Sequence, residues 1–489
     1  MRSLLTSLTQ FFYVAAYLLW VTTTCSTVAG QELLRGFVAA PNPTVTAFQP
    51  LLSDPTNTFS LSFLRVNRTQ LALAVIHVAS GETLWFANMT RLARWAGPTQ
   101  LTFNGSLVIS DTLSGVFWST NTDGDRVLVS NSSNLQILKE DFAGGALSTL
   151  WQSFDFPSDT LVENQNFTSA MTLVSSNGLY TMRLGSDFIG FYADFNPDKY
   201  QLYYRHGALE AKADIIDGQG PIYIRISSDG YLGMYQNGST PVDIQPFNSY
   251  QRSVPGIRRV RFEPDGNLKG YYWSGSGWVL DYQAISEPCD LPSPCGSYGL
   301  CRPGDGGCSC LDNNRTETQP GQCYSGQPGN FCNTRNDEFW VLRRAGVELP
   351  YKELMGYVKT ASLELCEKFC ETNCTCWGAV YSNASGFCYT LDYPIQTLVE
   401  IGDESKVGYF KVREVPRKRT DVAQAIGIGL LCAVIVALVC AVGFGSYKVW
   451  KRKRRVNRYL AEEEEITAPG PYKNLGSSSP GSIELISKS

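Results

Sequence analysis

The sequence predicts a mainly β N-terminal ectodomain, two small disulfide-rich modules and one membrane-crossing helix. Three observations carry this. Apolar and polar residues alternate with period two between about residues 45 and 285, twelve cysteines crowd into Cys289–Cys388, and Val422–Tyr447 runs 26 residues without a charge. Strict alternation marks half-buried antiparallel strands, and an even cysteine set in a secreted chain marks a disulfide frame.

The chain has 489 residues, enough for about three to five domains. Its formal charge of −4 argues against a nucleic-acid partner. A composition rich in Gly, Tyr, Phe and Trp and modest in charge suits a β-rich extracellular protein better than a disordered one. At the N-terminus, Arg2, the apolar run Phe11 to Val21 and small residues around Thr27-Val28-Ala29-Gly30 predict a signal peptide over 1–30.

Two all-β modules are expected, at 31–165 and 166–285. Leu101, Phe103, Leu107 and Ile109 share one face of a strand pair. Ile222, Ile224 and Ile226 alternate with Tyr223 and Arg225, and Val260 and Phe262 alternate with Arg259 and Arg261. Asp123-Gly124, Asp229-Gly230 and Asp265-Gly266 are candidate hairpin turns.

The cysteines form two sets of six. Cys289, Cys295, Cys301, Cys308, Cys310 and Cys323 fall in 286–324; Cys332, Cys366, Cys370, Cys374, Cys376 and Cys388 fall in 332–413. Small domains with thin cores need such staples. Cys308-x-Cys310 and Cys374-x-Cys376 have the look of zinc ligand pairs, but the secretory signals favour disulfides, and no metal is expected. Ser362 is a candidate N-cap for a helix with Leu363, Cys366 and Cys370 on one face.

The span 422–447 is long enough to cross a bilayer. Lys448, Lys451, Arg452, Lys453, Arg454, Arg455 and Arg458 follow it and place the tail, 448–489, in the cytosol. The tail reads as disordered. Asn67, Asn88, Asn104, Asn131, Asn166, Asn237, Asn314, Asn373 and Asn383 head N-glycosylation sequons, all before the span. Within the span Ala425, Gly429, Ala433, Ala437, Ala441 and Gly445 recur every fourth residue, a spacing that fits pairing with a second copy or another membrane helix.

No catalysis and no cofactor are expected. His77 and His206 are the only histidines, and neither sits in a catalytic motif. The sequence has no Gly-x-Ser-x-Gly, His-Glu-x-x-His, P-loop or kinase motif set. Asp155 and Asp159 flank Pro157 and read as turn residues rather than a glycosidase pair.

Several motifs occur in an order that resembles one plant family. Leu150-Trp151-Gln152-Ser153-Phe154-Asp155-Phe156-Pro157-Ser158-Asp159-Thr160-Leu161 is similar to a signature of S-locus-type receptors, the bulb-type (G-type) lectin receptor-like proteins. Leu84-Trp85-Phe86-Ala87-Asn88 resembles the family's Trp-x-Ala-Asn-Arg strand, with Met89 in place of the Arg. Arg259 through Leu268 resembles the S-locus glycoprotein block, Cys289-Asp290 to Cys323 an EGF-like module, and Glu364 through Cys388 a PAN/apple module. The resemblance covers about 45–413 and fits a kinase-less, PAN domain-containing member. It implies two bulb-lectin-like modules, an EGF-like module and an α+β PAN module. It also implies the bridges Cys289–Cys301, Cys295–Cys308, Cys310–Cys323, Cys366–Cys388 and Cys370–Cys376. Cys332 and Cys374 remain over, and their pairing stays open.

Bulb lectins hold mannose with a strand motif, Gln-x-Asp-x-Asn-x-Val-x-Tyr. Thr102, Asn104, Ser106, Val108 and Ser110 keep only the Val, and Ser130, Ser132, Asn134, Gln136 and Leu138 keep only the Asn. Glu263, Asp265, Asn267, Lys269 and Tyr271 keep three, so Asp265, Asn267 and Tyr271 are weak carbohydrate candidates. The resemblance implies a single-pass plasma-membrane glycoprotein that recognises a glycan or protein ligand and works with a receptor kinase, or a non-signalling adhesion or wall-tethering protein.

Overall fold

The computed structural model describes residues 32–413, apart from 88–90, 96, 142–144, 197–198, 209–220, 237, 297, 305–306, 313–322, 324–330, 334–338 and 393–396, and a helix over 422–464. The chain divides after Arg413 into two units. The signal peptide, Asn88, Asn237, Asn314 and the chain beyond Glu464 lie outside the described residues.

In the first β region three antiparallel sheets enclose one core. One sheet orders Phe48–Ser53, Phe59–Arg65, Gln70–His77 and Glu82–Phe86, with Ala93–Arg94 added beside Gln70–His77. The second orders Gly115–Ser119, Leu107–Asp111, Thr99–Phe103 and Phe37–Ala39, and the third Leu33–Leu34, Arg126–Val129, Leu135–Glu140 and Leu147–Gln152. Leu101 faces Ile109 and Phe103 faces Leu107 across a hairpin, and all four are buried. Such cross-strand pairs are the unit of sheet stability, and burying each large aliphatic or aromatic side chain contributes about 1.5–3 kcal/mol. Trp85, Trp118 and Trp151, one from each sheet, meet edge to face with centroids 5.8 Å apart.

The second β region repeats the three-sheet plan with a different core. Its sheets order Thr160–Val162, Arg258–Phe262, Leu268–Trp273 and Trp278–Gln283; then Leu173–Val174, Tyr180–Leu184, Phe188–Asn196 and Lys199–Gly207; then Tyr223–Ser227, Tyr231–Tyr235 and Asp243–Pro246. Ile222, Ile224, Ile226, Val260 and Phe262 all point into the core. Asp229-Gly230 and Asp265-Gly266 make hairpin turns, with the glycines at φ of 81° and 83°. Asp123-Gly124 does not: it precedes Arg126–Val129 in irregular chain, where Gly124 leaves no room for a Cβ against Ile137.

In the cysteine-rich region the helix Leu363–Thr372 packs on the strands Gly378–Ser382 and Phe387–Leu391 of a five-stranded sheet. The Ser362 side chain caps it, accepting from the Leu365 amide. Cys366–Cys388 and Cys370–Cys376 staple its buried face to the sheet region, and Cys332–Cys374 closes the longest loop. The other bridges are Cys289–Cys301, Cys295–Cys308 and Cys310–Cys323. Lys411, almost fully buried, donates its ammonium to the carbonyls of Cys370, Glu371 and Asn373 at 2.7, 3.3 and 3.1 Å. It thereby satisfies orphan acceptors at the negative end of the helix dipole.

The two cysteine sets are not separate bodies. Gly299–Cys301 pairs in parallel with Leu398–Glu400, placing Cys308–Cys310, Gly299–Cys301, Leu398–Glu400 and Val347–Glu348 in one mixed sheet. One core, with Leu300, Leu311, Val347, Trp377 and Phe410, runs through both.

The second unit, Glu414–Ser489, contains the 43-residue helix Val422–Glu464. Among the described residues, Ala433–Arg455 is the stretch long and apolar enough to cross a membrane. The helix continues through Lys448–Arg458, which the sequence reading placed in a disordered tail. Lys, Arg, Leu, Ala and Glu are strong helix formers, and neither Gly nor Pro intervenes between Ser446 and Glu464.

Candidate functional site

The sugar-motif positions come first. Thr102, Asn104, Ser106, Val108 and Ser110 do not lie along one strand; they straddle the turn between Thr99–Phe103 and Leu107–Asp111. Ser130 and Ser132 sit in the turn before Leu135–Glu140. Asn134 is buried there, donating to Gln152 Oε1 at 2.8 Å and accepting from Ser153 Oγ at 3.2 Å.

The third set also breaks across a turn. Asp265 and Asn267 lie in the hairpin loop, and only Lys269 and Tyr271 are on the strand Leu268–Trp273. Asp265 accepts from the Asn267 amide at 2.9 Å and pairs with Lys269 Nζ at 2.6 Å. Asn267, 2% exposed, spends its whole amide on the backbone of Ile285, at 2.8 and 3.0 Å. Tyr271 donates to Glu263 Oε1 at 2.8 Å beneath the Arg259 guanidinium. Burial, and then the bond to Glu263, raise its hydroxyl pKa. Asn267 therefore ties the hairpin to the chain exit at Ile285, while Asp265 and Tyr271 brace the hairpin itself. Asn267 is buried and bonded at both ends of its amide, and Asp265 and Asn267 sit in the turn, so the three residues do not share one strand face.

A seam joining the two β regions escaped the sequence reading. Arg259, placed by alternation on an outer face, is buried because that face meets the first region. Glu82 accepts from Arg259 and, at 3.2 Å, from Arg261, while Arg261 also donates to the Thr83 carbonyl at 2.7 Å. The Arg259 guanidinium lies 3.9 Å from the centre of Trp278, whose indole donates to Ser80 Oγ at 3.1 Å. Burial works against ionisation of Glu82, but the Arg259 and Arg261 bonds outweigh it and hold its pKa low. His77 packs beside Trp273 and Trp278, and burial followed by Arg259 lowers its pKa. It packs as a strut between Phe59 and the two indoles. His206 pairs with Asp243 at 2.7 Å, tying Lys199–Gly207 to Asp243–Pro246.

A pocket of about 460 Å³ opens where the second β region meets the cysteine-rich region. Tyr203, Tyr204 and Arg205 line one side, and Glu287, Asp290, Tyr351 and Glu353 the other. Its volume falls within the roughly 300–1,000 Å³ usual for small-molecule sites, which favour domain junctions. Three separate segments build it, so no local motif announces it. Of the sequons, Asn67, Asn104, Asn131, Asn166, Asn373 and Asn383 are described, and all six are exposed. Among the described residues no group of His, Cys, Asp and Glu has the arrangement of a metal site.

The fold and these motifs define a lectin-type receptor class, and comparison with known proteins narrows it. The S-locus glycoprotein domain family matches residues 237–317. A PAN domain-containing protein of Arabidopsis thaliana is 51% identical over 457 residues, covering 93% of this chain and 92% of its own length. The chain belongs to this PAN domain-containing, G-type lectin receptor-like family. A G-type lectin S-receptor-like serine/threonine-protein kinase of Arabidopsis thaliana is 26% identical over 84% of this chain. The chain spans 49% of that kinase, so it matches about half the length of the receptor-kinase relatives. The fetuin-binding two-domain agglutinin of Scilla campanulata aligns at 13% identity with 52% of this chain and 94% of its own, with a TM-score of 0.19.

Proposed function

We propose that this chain is a single-pass, type I plasma-membrane glycoprotein whose residues 31–413 face the cell exterior and recognise a glycan or protein ligand. In this reading residues 31–165 and 166–285 are the lectin-like modules, 286–324 is EGF-like, 332–413 is the PAN module and 422–447 is the span. The observation that supports it most is the pattern of similarity. A PAN domain-containing relative matches along 92% of its length, whereas a receptor kinase matches along 49% of its own. What is shared with the kinases is the recognition half, and the 489 residues carry no kinase motif set. The chain then acts either as a co-receptor, passing its signal to a partner kinase, or as a decoy that holds the ligand without signalling. The basic cluster after Tyr447 and the exposure of the described sequons support the orientation.

Proximity labelling from the full-length chain in plant cells, followed by kinase pull-down, tests this. Enrichment of receptor kinases over a length-matched membrane control is expected. Labelling of wall components without any kinase would favour a tethering role instead.

A further inference from the structure

The helix Val422–Glu464 does not end where its charge-free run ends. It carries Lys448 and Lys451-Arg452-Lys453-Arg454-Arg455 straight on from Tyr447, and all six basic residues are exposed. Successive residues of a helix turn by about 100°, so five in a row face every side. The result is a collar of cations rather than a stripe or a pocket. No acidic residue stands between Val422 and Ala461, so no neighbour along the helix neutralises it.

Aromatic rings set the level of the collar. Phe444, Tyr447 and Trp450 recur every third residue, and each holds a cation four residues on. Lys448 Nζ lies 5.2 Å from the centre of the Phe444 ring, Lys451 Nζ 5.9 Å from that of Tyr447, and the Arg454 guanidinium 3.8 Å from that of Trp450. Tyr and Trp settle where hydrocarbon gives way to headgroups. At a rise of about 1.5 Å per residue, Lys451–Arg455 stand roughly 2 to 8 Å beyond Trp450, within about one Debye length at physiological salt. The acidic run Glu462–Glu465 begins about 10 Å beyond Arg455, and the continuous helix holds the two apart. A disordered tail could fold those carboxylates back over the cations. A helix cannot, and at that distance salt screens most of the attraction that is left.

We propose that Lys451–Arg455 bind the anionic phospholipid headgroups of the leaflet at the C-terminal end of the span. The guanidinium forks of Arg452, Arg454 and Arg455 match phosphate and carboxylate oxygens, and the ammonium groups add charge. Because the collar faces every side and no wall encloses it, it gathers lipids by charge and not by headgroup shape. A plain topogenic signal, the other role of such a cluster, needs its charge only during insertion and leaves the finished protein indifferent to lipid. The inference goes beyond the recognition reading and shares with it only the membrane span.

The test is spin-label electron resonance on the full-length chain in phosphatidylcholine bilayers, comparing the association of labelled phosphatidylserine with that of labelled phosphatidylcholine. At low salt phosphatidylserine should be preferred at least about threefold, and the preference should fall toward parity at about 1 M salt. Labelled phosphatidylglycerol, of equal charge and different shape, should match phosphatidylserine within about twofold. Replacing the collar by Lys451→Gln, Arg452→Gln, Lys453→Gln, Arg454→Gln and Arg455→Gln together should cut the preference below about 1.5-fold, with an unchanged circular dichroism spectrum showing that the variant is folded. Replacing Glu462–Glu465 by Gln should leave the preference within about twofold of the parent's, since the helix already keeps those acids out of reach. Parity of the two labels in the parent, a preference retained without the collar, or a larger rise on removing the acids overturns the proposal. Kinase enrichment in the labelling experiment alongside any of those results would remove the lipid collar and leave the recognition reading standing.

Discussion

The half before residue 286 and the half after it meet the same stability problem differently. Residues 32–285 contain no cysteine, and their two cores are built from Leu, Ile, Val, Phe, Met and Trp drawn from three sheets each. Residues 286–413 carry six bridges, and half-cystines supply part of the core itself; Cys366, Cys370, Cys376 and Cys388 make up most of one cluster with Ala379, Tyr381 and Tyr409. Three wide sheets closing on one interior bury enough apolar area to offset chain entropy. Short strands and one ten-residue helix do not, and cross-links that restrict the unfolded chain make up the difference.

The largest effect follows from reducing every bridge. Denaturant curves under reducing and non-reducing conditions should then separate into two transitions, the β half nearly unmoved and the cysteine-rich half unfolded or shifted by several molar. A single transition that moves as a whole would break the comparison. Next comes Phe103→Ala, which opens a cavity in the first core and should cost about 3–5 kcal/mol in the β-half transition alone. Among the bridges, loop length sets the order. Cys332–Cys374 spans 42 residues and Cys370–Cys376 spans 6, so replacing each pair by Ser should cost about 4 and about 2 kcal/mol in the chain-entropy account. Equal costs would point to native-state packing of the half-cystines instead.

The smallest effect sharpens the picture of the β half. Glu82→Gln weakens the clamp on buried Arg259 and should cost about 1–3 kcal/mol at neutral pH. The folded carboxylate titrates below its ordinary value of 4.5. Its stabilising contribution is therefore complete above that value and is lost as pH falls through the lower, folded value. The melting-temperature gap between parent and Glu82→Gln should stay constant from pH 7 to 5 and narrow below about pH 4.5. A gap independent of pH would mean that Glu82 acts through packing rather than charge.

The sequence is most readable where signals are local and periodic. Leu101, Phe103, Leu107, Ile109, Ile224 and Val260 alternate and are buried, and Ser362 caps the helix that its spacing announces. Arg259 misled because the surface that buries it lies some 180 residues earlier in the chain, at Glu82. The sheet joining Leu300 to Leu398 escaped because strands of three residues carry no period. Asp265 and Asn267 were read both as a turn and as a strand face; Gly266, at φ 83°, decides for the turn. The junction pocket had no local signal at all, since its walls come from three segments far apart in sequence.

Hydrogen exchange on the full-length chain, before and after graded reduction, tests the division between the halves most directly. Amides of Phe59–Arg65, Gln70–His77 and Tyr223–Ser227 should keep their protection at a reductant concentration that releases all six bridges. Amides of Leu363–Thr372 and Gly378–Ser382 should exchange at the rate of the unfolded chain. Simultaneous loss of protection in both sets would contradict the division, and would mean that the bridged half also holds the β half together.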